Sequence, residues 1–381
     1  MRRLVLLLGA VVVAGAAAMV VGAAPVGSLP VSSVPPTESR VSFRSGSNTL
    51  SGILSLPAGD ERRAAVVLLS GSERGGTTSS YLIQNARVLA GAGFAVLRYD
   101  PPGVGRSTGS LRFETLDGRA REANAAVEYL RSRPEIRPDE IGLWGHSQGG
   151  WVTQMAAATS RHVAFIVSAS GSGVSVAEQQ VYSVEAQSRA AGFPASDIVR
   201  AGVFARMLVD SQLSRPLYRA QALSQVAHLG PGPWRTFATL VYTPGQLTPT
   251  QRLQRGISIL KSIRGELWAN YLYLDTAVLP ALEAIPPGQV AAARAAAQKS
   301  LLVQPKKYLS AVRCPVLAIW GADDTLVPAR KSASIYRQYL KVAGNHDVTL
   351  VVLGNAGHSL NDFGAPYQKT LTGWLTKRFG P

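Results

Sequence analysis

From residue 41 onward the apolar positions of the chain fall into short runs separated by amphipathic stretches, and the two kinds of segment alternate. Runs at Val41 to Phe43, Leu50 to Leu56, Ala65 to Leu69, Ala95 to Tyr99, Ile141 to Gly145 and Ala164 to Ser168 have strand length and bounding turn residues. Three of them are continuously apolar, as strands buried on both faces of a sheet are. Between them, Tyr81 to Ala90, Thr115 to Ser132 and the stretch opening at Gln148 repeat their apolar residues at helical spacing. This alternation predicts an α/β fold, a mostly parallel central sheet flanked by helices on both faces.

The rhythm changes after Gly173. Up to about Leu309 the pattern is helical throughout, with Pro231-Gly232-Pro233 and Pro286-Pro287 dividing it, because proline cannot continue a helix interior. Alternation resumes with a strand at Val316 to Trp320, a helix at Ala329 to Leu340, a strand at Thr349 to Leu353 and a closing helix around Tyr367 to Arg378. The expected organisation is one core in two parts, residues 41–175 and 307–381, interrupted by a helical cap insertion at 176–306. No internal repeat is visible.

Composition adds a second layer. With 46% apolar and 16% charged residues the chain has material for a large core and is not of the disordered class. Residues 1–24 differ in kind: Arg2 and Arg3 precede an apolar run from Leu4 to Val21, followed by Gly22, Ala23 and Ala24. That order reads as a secretory signal peptide or, since the run approaches the ~20 residues that cross a bilayer, as a membrane anchor. Either reading makes the protein exported: secreted, periplasmic, or anchored facing outward. Residues 25–40, rich in Pro, Ser, Val and Gly, read as a linker.

The net charge of +16 favours anionic surfaces, so peripheral membrane association is expected as an alternative to anchoring. Beyond the leader the basic residues are scattered, with only the doublets Arg62-Arg63 and Lys306-Lys307, and no nucleic-acid-binding motif is present. Nucleic acid is therefore not expected as a partner. The single cysteine, Cys314, allows no intramolecular disulfide, and its place at the start of a strand reads as structural.

The candidate chemistry begins at Gly145-His146-Ser147-Gln148-Gly149-Gly150, which sits between a predicted strand and a predicted helix. That is the nucleophile-elbow pattern Gly-x-Ser-x-Gly, a sharp turn that exposes the serine and puts helix N–H groups beside it. A serine hydroxyl needs a base, and after such an elbow the partners follow in the order acid, then histidine. Of five histidines, His146 lies in the elbow, His162 precedes a strand, His228 falls in the insertion and His346 begins the last strand. His358 remains, in the loop after Thr349 to Leu353, where parallel sheets collect their catalytic groups. The acid belongs on the loop Gly321 to Pro328, where spacing leaves both Asp323 and Asp324 open. Backbone N–H groups of Gln148 and of Ser72, in the loop Ser70 to Gly76, are the expected oxyanion hole.

With these residues in place the chain resembles the α/β-hydrolase superfamily, over about residues 41–175 and 307–381. Within it the chain is similar to bacterial esterases of the dienelactone-hydrolase-like and acyl-peptidase-like branch. The opening Leu50-Ser51-Gly52-Ile53-Leu54-Ser55-Leu56-Pro57 and the segment Asp100-Pro101-Pro102-Gly103-Val104-Gly105-Arg106-Ser107 carry that likeness. The branch more usually has Arg-Gly where Pro101-Pro102 stands, and its customary His-Gly is here Ser70-Gly71. The resemblance implies that Asp324, not Asp323, is the acid, because the family motif sets its aspartate three residues before a Val-Pro pair.

The implied activity is hydrolysis of a small-molecule ester or acyl substrate by Ser147, His358 and Asp324 through an acyl-enzyme, with no metal or organic cofactor. Peptide or thioester hydrolysis on the same triad is the alternative, as is a catalytically silent cell-surface binding protein. Tyr182, Trp234, Phe237, Tyr242, Trp268, Tyr271 and Tyr273 of the insertion are expected either to line a substrate pocket or to form the insertion's own core.

Overall fold

The computed structural model describes residues 35–72, 75–111 and 114–380; the proposed leader and most of the proposed linker lie outside these residues. The first core segment runs β1 (Thr37–Ser45), β2 (Asn48–Leu56), β3 (Arg63–Leu69), α1 (Ser80–Gly91), β4 (Ala95–Tyr99), α2 (Leu116–Arg131), β5 (Ile136–His146), α3 (Gln148–Thr159) and β6 (Ile166–Ala169). Helices α4 (Val176–Ala190), α5 (Ala195–Ser211), α6 (Arg219–His228), α7 (Pro233–Tyr242), α8 (Pro249–Ser262), α9 (Leu279–Glu283) and α10 (Val290–Leu301) follow. The chain closes with α11 (Pro305–Leu309), β7 (Val316–Gly321), α12 (Ala329–Val342), β8 (Val348–Leu353), α13 (Leu360–Phe363) and α14 (Ala365–Phe379).

The eight strands form one sheet in the order β1-β2-β4-β3-β5-β6-β7-β8. The β1/β2 and β2/β4 pairs are antiparallel, and all others are parallel. Strand β5 differs from the sequence expectation, starting at Ile136 and not Ile141. Its early part carries Arg137, Asp139 and Glu140, and the register against β3 shifts between the pairs Arg63–Ile136 and Ala65–Ile141. Such an irregularity breaks the apolar pattern by which a buried strand is read.

Strands β4 and β7 are buried along their whole length, and β3 is buried from Ala64 onward. On one face Val66, Val96, Trp144, Val167 and Ile319 pack with Leu82 and Leu89 of α1 and with Tyr367, Leu371 and Trp374 of α14. Each large apolar side chain fully buried here stabilises the fold by about 1.5–3 kcal/mol. The polar atoms in this layer are paired: Trp144 Nε1 donates to the Tyr367 hydroxyl (2.7 Å), which donates to Asn85 Oδ1 (3.0 Å). That chain ties β5, α14 and α1 together.

Residues Ser175–Val303 form a compact unit of their own. Ser175 caps α4 by accepting from the Glu178 N–H, and Thr248 with Gln251 forms a reciprocal capping box on α8. Pro233 and Pro249 occupy the first positions of α7 and α8, where a missing N–H costs nothing. Phe204 of α5 stacks against Phe237 and Trp268, with centroids 5.4 and 5.6 Å apart, so those two aromatics belong to this unit's core. Among the described residues no helix is long and apolar enough to cross a membrane.

Candidate active site

Ser147 sits where β5 turns into α3, with φ +54° and ψ −115°. A non-glycine residue in this region carries a strain on the order of 1–3 kcal/mol that its surroundings must hold. They do so through backbone bonds: the Ser147 N–H donates to the Ala169 carbonyl at the end of β6, and the Ser147 carbonyl accepts from Gly150 (2.9 Å each). Gly149 lies against the end of β3, where a Cβ would stand 2.7 Å from the Leu69 oxygen and 3.0 Å from that of Ser70. The elbow's second glycine is thus required by close approach of two backbones.

The structure brings Ser147, His358 and Asp324 together. His358 Nε2 lies 2.9 Å from Ser147 Oγ, and His358 Nδ1 lies 2.9 Å from Asp324 Oδ2. A carboxylate accepts the Nδ1–H, which leaves Nε2 as the acceptor for the serine proton. The Asp324 side chain is fully buried, and its other oxygen, Oδ1, accepts the N–H groups of Leu326 and Val327 at 2.8 Å each. Asp323 is exposed. The acid and histidine loops are locked together at Gly321, where a Cβ would meet the Ala356 oxygen at 2.1 Å, and the Asp323 N–H donates to that same oxygen.

His146 was set aside in the sequence as part of the elbow, yet it packs beneath the site. It is fully buried, its ring centroid lies 5.1 Å from that of His358, and its Nε2 is 3.2 Å from the His358 carbonyl oxygen. A carbonyl only accepts, so Nε2 carries the proton of a neutral ring. Ser170 Oγ donates to the same carbonyl (2.8 Å), so two side chains hold the backbone of His358. Burial, followed by the charge of His358, pushes the His146 pKa down from 6.5 to about 3. Between those values the unfolded chain takes up a proton that the folded one refuses, so stability falls as pH falls through this window. His146→Gln should flatten the dependence of unfolding free energy on pH between 6.5 and 4, by up to ~1.4 kcal/mol per pH unit. Urea unfolding of both proteins across that range measures it; parallel curves would count against a neutral, buried His146.

Gln148, the first residue of α3, offers its backbone N–H at a helix N-terminus, and Ser72 lies in the loop after β3. The residue that sequence reasoning missed is Arg119. It falls on the apolar stripe of α2 formed by Leu116, Ala120, Ala123, Val127 and Leu130, and a charge in that stripe was the available signal. Its buried guanidinium donates to the carbonyls of Ser70 (2.6 Å) and Gly71 (3.1 Å), to Ser70 Oγ (3.1 Å) and to Gln148 Oε1 (2.5 Å). One side chain therefore ties the loop after β3 to the residue after Ser147. Asp100 anchors the far end of the same loop, its Oδ1 accepting from the N–H and hydroxyl of Thr77 (2.7 Å each).

The remaining candidates lie elsewhere. His162 pairs with Glu128 (2.5 Å), and His228 bonds the Ser224 carbonyl. Burial raises the Cys314 thiol to about 12, the opposite of an activated nucleophile. Among the described residues no cluster of three or more His, Cys, Asp or Glu has the placement of a metal site.

Comparison with known proteins gives both sequence relatives and fold relatives. The chain is 37% identical over 84 residues to the thiohydrolase aneE of Aspergillus aculeatus, a stretch that is 22% of this chain and 26% of the relative. It is 30% identical over 135 residues to the polyketide transferase claH of Penicillium crustosum, 34% of this chain and 41% of that one. The chain thus spans less than half the length of these curated relatives. The solved structure of the Pyrococcus furiosus esterase Pf2001 superposes with a TM-score of 0.52 at 16% identity, covering 91% of this chain and 92% of the esterase, and at that identity it speaks for the fold. The profile of the alpha/beta hydrolase fold family matches residues 65–365, and the chain belongs to that family.

Proposed function

We propose that the protein is an exported serine hydrolase that cleaves carboxylic esters by way of an acyl-enzyme. The observation that carries this reading is the relay of two 2.9 Å contacts from Ser147 Oγ through His358 to the buried Asp324. In the proposed step Ser147 Oγ attacks the ester carbonyl carbon while His358 Nε2 takes the hydroxyl proton, and the N–H groups of Ser72 and Gln148 receive the oxyanion. Collapse breaks the bond to the alcohol, which leaves with the proton from His358. Water then repeats the sequence and frees the acid and Ser147. Asp324 orients His358 and stabilises its charged form. The chemistry of these groups calls for no metal or organic cofactor.

The opening motif Leu50 to Pro57 and the segment Asp100 to Ser107 support a place in the dienelactone-hydrolase-like branch, and the leader Arg2 to Ala24 supports export. A second reading, thioester hydrolysis, is favoured by the 37% identical stretch shared with a thiohydrolase. The test is labelling by a fluorophosphonate, followed by turnover of matched nitrophenyl esters, acyl thioesters and aminoacyl amides. Labelling at Ser147 with the highest kcat/KM on esters is the expected result. Labelling with thioester preference would move the substrate class, and no labelling of the folded protein would remove the serine-hydrolase reading.

A further inference from the structure

The helical unit Ser175–Val303 encloses a cavity of about 510 Å³, lined only by its own residues between Leu208 and Arg294 and including none of Ser147, Asp324 and His358. The volume is in the range of roughly 300–1,000 Å³ typical of small-molecule sites. Most of the wall is apolar, with Phe237, Leu240, Leu260 and Ile285 among its side chains, and three arginines, Arg219, Arg252 and Arg294, also line it.

The arginines have no acidic partner among the described residues. The unit has twelve basic and seven acidic residues, and four of those carboxylates pair with other basic groups: Glu185 with Arg206, Asp197 with Arg200, Asp275 with Arg264 and Glu283 with Lys261. Asp210, which also lines the cavity, accepts from the N–H groups of Leu217 and Tyr218 and from the Tyr242 hydroxyl. Arg252 Nε donates to the Leu247 carbonyl (3.2 Å) and Arg294 to that of Leu213, so one edge of each guanidinium is fixed by backbone. Burial and the neighbouring charge of Arg252 lower the Arg294 pKa, which marks two like charges held close. An anion beside them turns that repulsion into attraction.

We infer that this cavity binds a single-chain amphiphile with an anionic head group, its chain among the apolar side chains and its head at Arg252 and Arg294. The site is independent of the proposed ester chemistry.

Gly256 of α8 supplies the discriminating variant. A Cβ there would meet only Leu240 Cδ2 and Phe237 Cε2, both at 3.8 Å, so a larger side chain enters the void without a backbone clash. Leucine is also a better helix former than glycine. The experiment is calorimetric titration of the full chain carrying Ser147→Ala, so that no ligand is turned over, with dodecanoate, dodecyl phosphate and dodecanol. One equivalent of at least one anion should bind, with dodecanol weaker by about tenfold or more, and the better anion identifies the head as carboxylate or phosphate. Arg252→Gln with Arg294→Gln should cost a similar factor, and Gly256→Leu should remove binding while circular dichroism and melting stay as in the parent. The inference fails if neither anion binds, if dodecanol binds as tightly, or if the folded Gly256→Leu protein binds unchanged.

Discussion

Ser147→Ala is expected to lower ester turnover by about 10⁶-fold, to the level of the oxyanion contacts and binding alone. The loss has a chemical cause, because the variant keeps the elbow and every backbone bond that holds it and lacks only Oγ. Thermal stability should scarcely move, since alanine at φ +54° is strained much as serine is. Ser147→Gly separates the two roles: it should be equally inactive and more stable by about 1 kcal/mol, because glycine adopts this backbone freely. Turnover near the parent's in either purified variant would dismiss Ser147 as the nucleophile, and equal melting temperatures for Gly and Ser would show the turn to be unstrained.

Asp324→Asn is expected to lower turnover by roughly 10⁴-fold while leaving the protein folded. The amide can present its N–H to His358 and so favour the tautomer that cannot accept the serine proton. Its oxygen can still accept the N–H groups of Leu326 and Val327, which now go to Oδ1. Asp324→Ala loses those two bonds as well, and should lose both activity and about 1–3 kcal/mol of stability by leaving buried donors unpaired. Asp323→Asn, at an exposed position, should change neither much. Kinetics and melting of the three variants decide the assignment; full activity in Asp324→Asn would move the acid elsewhere.

The contrast between these neighbouring aspartates also shows what the sequence could and could not supply. The eight strands are legible because seven of them coincide with uninterrupted or alternating apolar runs, and the α/β-hydrolase fold follows from their alternation with helices. The start of β5 was hidden because Arg137, Asp139 and Glu140 stand in it. Spacing left Asp323 and Asp324 equal, since adjacent residues differ in which way they face and not in where they lie along the chain; the family motif alone singled out Asp324. Arg119 was passed over because a charge on an apolar stripe looks like noise until its acceptors, carbonyls distant in sequence, are brought to it. The cavity of the helical unit depends on how six helices pack, which no local pattern records.

Arg119 has one more consequence. A guanidinium carries five N–H donors in one plane, so this single side chain serves the carbonyls of Ser70 and Gly71 and the amide of Gln148 at once. The Ser147 hydroxyl meets a different partner, His358. The residue after Ser147 and the hydroxyl of Ser147 are therefore held by different side chains, Arg119 and His358. A change at Arg119 therefore reaches the loop after β3 and Gln148 while the His358–Asp324 contact keeps its own partners.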